Sequence, residues 1–266
     1  MTREQRFTFN EIGEGYDRYR PGYPELLFED LLSLSGLSPG ERILEIGCGT
    51  GQATQVFATR GFAMTCLEPG SQTASIARTN LEEFSGVEVR CTTFEDWPCE
   101  PAAFGLVFAA QAFHWVPPEI GFAKAAQALR PGGALAVFGN TEDTERSHHG
   151  DAGGAVTEAL DAAYAHYAPP LLGRPGSRWY AQDGPIPSLI ADSGSFSPLA
   201  ARRYPWSQRY TTSEYIGLLG TYSHHRLLPE KQREGLHRAI AEAVDRFGGE
   251  IEIFYEANLY LGQRTG

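Results

Sequence analysis

The chain has 266 residues, 42% hydrophobic and 21% charged, which fits one large globular domain better than two independent ones. Its formal net charge of −11 excludes an extended phosphate-binding face, because such surfaces need a basic excess. No apolar run approaches the roughly 20 residues that span a bilayer, and Met1-Thr2-Arg3-Glu4-Gln5-Arg6 lacks a secretory apolar segment, so a cytoplasmic location is the default expectation.

The first expected element is a helix over Pro24 to Leu34, with Leu27, Leu31 and Leu34 on one side and Gly36 as its stop. From residue 42 to 139, short apolar runs alternate with helical patterns. The runs are 42–46, 62–67, 87–91, 106–110 and 134–138. Helices are expected at Gln52 to Arg60 and at Glu119 to Leu129, the second closed by Arg130-Pro131-Gly132-Gly133. This rhythm predicts an α/β fold with a parallel sheet covered on both faces. Residues 141–200 break it. They are rich in Gly, Pro, His, Tyr and Ser, with one helix around Val156 to Tyr167, and are too long for a plain loop. An insertion or lid is expected there. Beyond it, Arg202 to Tyr210 reads as a strand and Glu230 to Phe247 as a helix with Leu236, Ile240 and Val244 in register. Ile251 to Leu261 reads as an antiparallel or edge strand. Cys48, Cys66, Cys91 and Cys99 lack C-x-x-C spacing and sit mostly in apolar runs, which predicts buried free thiols.

The sharpest feature is Leu44-Glu45-Ile46-Gly47-Cys48-Gly49-Thr50-Gly51, leaving a strand and opening a helix. Glycines there let the backbone turn tightly and a ligand approach without Cβ obstruction. A dinucleotide fingerprint would place its third glycine at position 52, which is Gln52, so an NAD-dependent oxidoreductase is disfavoured. Glu45 is unwelcome beside a pyrophosphate and suits a ligand with an ammonium group and no phosphates. Glu68, ending the second run, is placed to accept two hydrogen bonds from a ribose diol. The plainer alternative is a strand–turn–helix junction in which Glu45 caps backbone amides.

These residues resemble the class I S-adenosylmethionine-dependent methyltransferases, and within them the type 11 small-molecule group that includes trans-aconitate methyltransferase-like enzymes. The resemblance covers residues 16–139. It rests on Tyr16 to Pro24, the glycine loop, Leu67-Glu68-Pro69, Phe94-Glu95-Asp96-Trp97-Pro98, Ala109 to Trp115 and Leu129 to Gly133. It implies one domain of Rossmann-like fold: a seven-stranded, mostly parallel sheet with helices on both faces and a lid after the fifth strand. Within it, 1–36 would form an N-terminal cover, 37–140 the cofactor core, 141–200 the lid and 201–266 the completion of the sheet. S-adenosylmethionine is the implied cofactor. Glu45, Gly47, Cys48, Gly49 and Gly51 would line its methionine and ribose, Glu68 would hold the ribose hydroxyls, and Pro69 would pack on the adenine. Where many relatives carry an aspartate for the adenine amino group, this sequence has Thr93, followed by the Phe94 backbone N–H. Ala110 and Gln111 would pass beneath the methionine amino group.

Other candidates keep two readings. Arg20 either pairs with the methionine carboxylate or forms a surface ion pair. Tyr16 and Tyr19 pack over the site and shield it, Tyr19 on the acceptor side. His114, after the fourth strand, either accepts the proton of the methyl acceptor or belongs with Phe113 and Trp115 to an aromatic plug. His148, His149, His224 and His225 come in adjacent pairs without a nearby carboxylate, so no metal is expected. Tyr164, Trp179, Tyr180, Trp206 and Tyr222 are candidates for the acceptor pocket, against ordinary core filling.

The expected function is methyl transfer to a small-molecule acceptor, with an oxygen of a carboxylate or hydroxyl favoured. Nucleic acid is disfavoured by the acidic balance and by the lack of a [DN]-P-P-[YF] motif after the fourth strand. No membrane partner is expected, and the chain reads as a monomer or homodimer. The alternative from another class is a regulatory or scaffold protein that binds the cofactor without turnover.

Overall fold

Apolar strands separated by short amphipathic helices build the first half. In chain order, α1 (Glu25–Ser35), β1 (Ile43–Ile46), α2 (Gln52–Ala58), β2 (Met64–Leu67), α3 (Ser71–Asn80), β3 (Val87–Arg90), β4 (Phe104–Ala110), α4 (Pro118–Ala128) and β5 (Leu129–Glu142) follow one another. The second half contributes α5 (Gly153–Tyr167), α6 (Ile186–Asp192), β6 (Phe196–Thr211), α7 (Thr212–Gly220), α8 (Ser223–Arg226), α9 (Glu230–Arg246) and β7 (Glu250–Arg264). This computed structural model describes residues 18–143, 147, 153–173 and 178–266. Among them, no helix is long and apolar enough to cross a membrane.

The strands form one seven-stranded sheet in the order β3-β2-β1-β4-β5-β7-β6. β1 to β5 run parallel, while β7 pairs antiparallel with both β5 and β6. Alternation along β4 sends Leu106 and Phe108 to one face and Val107 and Ala109 to the other. The first pair packs with Leu27, Phe28 and Leu31 of α1 and Phe57 of α2. The second joins Phe113, Phe122 of α4 and Tyr180. A third core lies under α5, α7 and α9, where Leu160, Leu218, Leu236 and Ile240 cover Ile251, Ile253 and Tyr255 of β7.

Several boundaries differ from the sequence reading. The 141–200 stretch is not a single body. β5 runs on to Glu142 and β6 starts at Phe196, so both ends of the stretch belong to the sheet. Helix α5 joins the core under α7 and α9, whereas Tyr180, Ile186 and Ile190 pack with Phe196 against the sheet. Ile186 and Ile190 lie one helical turn apart, which gives α6 a single buried edge. β7 is interior, and β6 is the edge strand. Helix α3 buries only Thr73, Ala74 and Ala77, a face too small to register as apolar periodicity. Of the four cysteines, Cys48 and Cys66 are buried, Cys99 is half-buried and Cys91 is exposed, because the latter two lie beyond the end of β3.

Candidate active site

Neighbouring strands β1 and β4 lead away from each other in chain order, and their carboxyl ends bound the crevice where open α/β sheets bind ligands. The loop after β1 is tied to β2, since the Gly47 and Cys48 amides donate to the Leu67 carbonyl at 2.8 and 3.0 Å. Gly47 has φ 69°, and a Cβ there would lie 2.5 Å from the Ala112 Cβ. The loops after β1 and β4 therefore meet at a point that only glycine allows.

Glu68 follows β2 and is 9% exposed. Its Oε2 accepts the Gly49 N–H at 3.0 Å and its Oε1 the Gly70 N–H at 2.8 Å. One carboxylate thus fixes the glycine loop to the start of α3. An ionised carboxylate is acceptor-only and takes several donors at once. Pro69 is half-buried beside it.

Glu45 departs from its expected role. It is 1% exposed, and its Oε2 accepts the Thr54 hydroxyl at 2.5 Å. The side chain lies beneath the loop and braces α2, so it presents no open face to a ligand. Burial raises it to about 8, against the Thr54 hydrogen bond. The neutral acid is then the dominant form at pH 7. Cys48 also turns inward, with its Sγ donating to the Gly49 carbonyl at 3.7 Å, and the neighbouring Cys66 thiol together with burial pushes its thiol up.

Thr93 is likewise committed within the protein. Its hydroxyl donates to the Asp96 carboxylate at 2.7 Å and accepts the Asp96 N–H at 3.0 Å, closing the turn that follows β3. It is not a ready acceptor for an adenine amino group. Phe94 is buried with its ring stacked on Trp97, the centroids 6.2 Å apart.

At the end of β4, Ala110 is half-buried and Gln111 has φ 50°. The Gln111 Oε1 accepts the Tyr23 hydroxyl at 3.2 Å, and its Nε2 donates to the Asn140 carbonyl at 3.3 Å. Asn140 in turn donates to the Gly22 carbonyl at 2.9 Å and accepts the Trp206 Nε1–H at 3.1 Å. This network straps the 20–23 segment across the ends of β4 and β5. Tyr23 and Asn140 were missed as site residues; the available signal was an amide side chain following the apolar β5 run.

Arg20 reaches α7 and the residues that follow it. Its Nη2 donates to the Thr221 carbonyl at 3.1 Å, and its guanidinium stacks 4.8 Å from the Tyr222 ring centroid. Tyr19 packs on α7, where a Cβ at Gly217 would come within 2.6 Å of its ring. The Tyr164 hydroxyl pairs with His225 Nε2 at 3.1 Å, and His225 Nδ1 with His237 Nε2 at 3.1 Å. Burial lowers His225 to about 3, so it stays neutral. Tyr16, His148 and His149 lie outside the described residues.

His114 stands on the short 3₁₀ turn Phe113–Trp115 that follows β4. Its Nδ1 is 2.8 Å from the Tyr180 hydroxyl, and its ring is 6.1 Å from that of Trp179. Burial lowers it to about 4. Tyr180 itself is 1% exposed, with Tyr260 donating to its carbonyl at 3.2 Å. It faces His114 in place of the open crevice, because its ring fills the space beside Gly139.

Sheet order, glycine loop and acid after β2 together define a class I methyltransferase, an enzyme dependent on S-adenosylmethionine. Comparison with known proteins agrees: residues 44–137 match the methyltransferase-domain family. An uncharacterized methyltransferase of Mycobacterium tuberculosis is 26% identical over 231 residues, 87% of this chain and 83% of that protein. A methyltransferase-like protein of Schizosaccharomyces pombe is 24% identical over 97% of this chain and 95% of its own. A solved methyltransferase structure from Anaeromyxobacter dehalogenans has the same fold, with a TM-score of 0.62 at 21% identity, covering 92% of this chain and 98% of that one.

Proposed function

We propose that the protein methylates an oxygen of a small-molecule acceptor, with His114 as the group that takes up the acceptor proton. The observation that carries this reading is the position of His114 on the turn that follows β4, at the carboxyl end of one of the two strands that bound the switch-point crevice. S-adenosylmethionine supplies an electrophilic methyl group on its sulfonium when bound. Gly47, Gly49, Gly51 and Glu68 would hold it, with Pro69 and the Phe94 backbone beside the base, and Ala110 and Gln111 along the methionine end. Glu45, Cys48 and Thr93 support these residues from behind.

The tasks left to the chain are alignment and exclusion of water, worth up to about 7–11 kcal/mol in favourable intramolecular cases. An imidazole lowered to about 4 is neutral at physiological pH but a weak base. It suits an acidic enol or phenol better than an alcohol, whereas a carboxylate arrives already ionised and needs no base. The Tyr23–Gln111–Asn140–Trp206 strap and the helices α5 and α7–α9 form the cover over the crevice, with Tyr19, Tyr164, Trp179 and Tyr222 in its inner layer.

The test is incubation with methyl-labelled S-adenosylmethionine and a small-molecule cell extract. Label entering the small-molecule fraction, released as methanol by mild base when the product is an ester and retained when it is an ether, supports the reading. Label confined to protein or nucleic acid, or cofactor binding with no transfer at all, overturns it.

A further inference from the structure

Strand β5 outruns β4, whose last residue Ala110 lies opposite Phe138, and continues along β7 to Glu142. There Glu142 stands opposite Tyr255, and Tyr255 opposite Trp206. Directly opposed residues in neighbouring strands share a face, so these three side chains form a row across the extended sheet. The Trp206 and Tyr255 rings are 5.1 Å apart, and the Tyr210 and Tyr255 hydroxyls are 3.1 Å apart. Tyr164, Tyr215 and Tyr222 complete the surroundings: burial first, and the Glu142 charge after it, raise the phenols of Tyr164 and Tyr222.

The half-buried Glu142 carboxylate makes no hydrogen bond or ion pair among the described residues, and neither does the Tyr222 hydroxyl. Burial alone raises Glu142 to about 7. A desolvated carboxylate without a partner is costly, and a cation removes that cost. Among the described residues, Arg20 does not serve as that cation, since it is turned onto the Tyr222 ring and the Thr221 carbonyl. Aromatic faces beside a carboxylate are the setting in which a protonated amine is held by charge and by cation–π attraction together.

We propose that Glu142, with the rings of Tyr255 and Trp206, forms a subsite for a protonated amine carried by the methyl acceptor, away from the oxygen that is methylated. This rests on the proposed function in placing the acceptor over the carboxyl ends of β4 and β5. It adds a substrate class: amino-bearing acids, enols or phenols.

The experiment is titration calorimetry on the full chain loaded with S-adenosylhomocysteine, in buffer at about pH 8, where Glu142 is ionised. The probes are phenethylammonium, 2-phenylethanol and 3-phenylpropanoate, which share a phenethyl body and differ in charge. Phenethylammonium should bind roughly 10- to 150-fold more tightly than the alcohol, the range of one charge-assisted hydrogen bond. The propanoate should bind least. Glu142→Gln should abolish the preference while S-adenosylhomocysteine affinity stays within about twofold. Equal or tighter binding of the alcohol or the propanoate to wild type, or no measurable ammonium binding, overturns the subsite whether or not the variant folds. Loss of S-adenosylhomocysteine binding by wild type would instead count against the cofactor reading, and the ammonium series on the unloaded chain would still read the subsite.

Discussion

His114 Nδ1 and the Tyr180 hydroxyl are 2.8 Å apart, which joins the turn after β4 to the segment that precedes α6. A neutral imidazole carries its proton on one nitrogen only. With Nδ1–H donating to the Tyr180 oxygen, Nε2 is left as the acceptor. Tyr180→Phe removes that partner and should lower kcat roughly 2- to 12-fold, the worth of one neutral hydrogen bond. His114→Ala should lower it by about 10²–10⁴, with cofactor affinity within a few-fold in both. Wild-type turnover should fall on the acid side only near pH 4, where His114 takes up its proton. A pH–rate profile checks this: Tyr180→Phe should move the acid limb, which a merely structural defect would not do. Unchanged kcat in both variants would assign the pair to packing.

The Glu68 carboxylate joins Gly49 to Gly70. Glu68→Ala should weaken S-adenosylmethionine binding by about 1.5–3 kcal/mol, roughly 10- to 150-fold. Direct calorimetric titration measures it. Wild-type affinity in a folded Glu68→Ala protein would move the ribose elsewhere.

How legible this site was depends on what each residue does. The glycine loop and Glu68 could be read because their roles are set by backbone conformation and by a position at a strand end, both of which leave a local pattern. Glu45 was misread because the direction of a side chain on a strand depends on what the next helix offers, here the Thr54 hydroxyl. Thr93 was misread for the same reason, its partner Asp96 lying only three residues away. The strap of Tyr23, Gln111, Asn140 and Trp206 joins four distant stretches of chain and has no local signal. Helices α6 and α7 were hidden by length: seven and nine residues carry too few turns for periodicity to stand out.

Glu45 also makes stability depend on pH in a fixed direction. Its folded value of about 8 lies above the ordinary glutamate value of 4.5, so the folded state holds a proton that the unfolded chain has released between those values. Its contribution is fully present below about pH 4.5 and is lost as pH rises through about 8. Glu45→Gln keeps the shape without the ionisation. Relative to wild type it should gain at least about 1.4 kcal/mol between pH 5 and 9, the equivalent of one pKa unit. Urea unfolding at several pH values reads this difference. A difference that stays flat, or runs the other way, would show that Glu45 is ionised in the folded protein.

Gly139 tests whether the two halves of the site act through one wall. A Cβ at this position would lie 2.6 Å from the Tyr180 Cγ and 2.7 Å from the Gln111 Cγ. Neither neighbour can yield by a small rotation at its far end, because the contact is near the root of each side chain. Gly139→Ala should therefore displace Tyr180 from His114 and Gln111 from Tyr23 together, at about 1–3 kcal/mol of stability, the usual cost of overpacking a core. Its kcat should fall at least as far as in Tyr180→Phe, since it disturbs that hydrogen bond and the strap at once. The combined Gly139→Ala, Tyr180→Ala variant loses the clash with the ring but keeps the one with Gln111, so Gly139→Ala should cost less stability in the Tyr180→Ala background than in wild type, without recovering kcat. Thermal unfolding and single-turnover methyl transfer on the same samples separate the outcomes. If Gly139→Ala leaves both stability and kcat at wild-type values, the β5 wall is more yielding than this packing allows, and His114 does not depend on it.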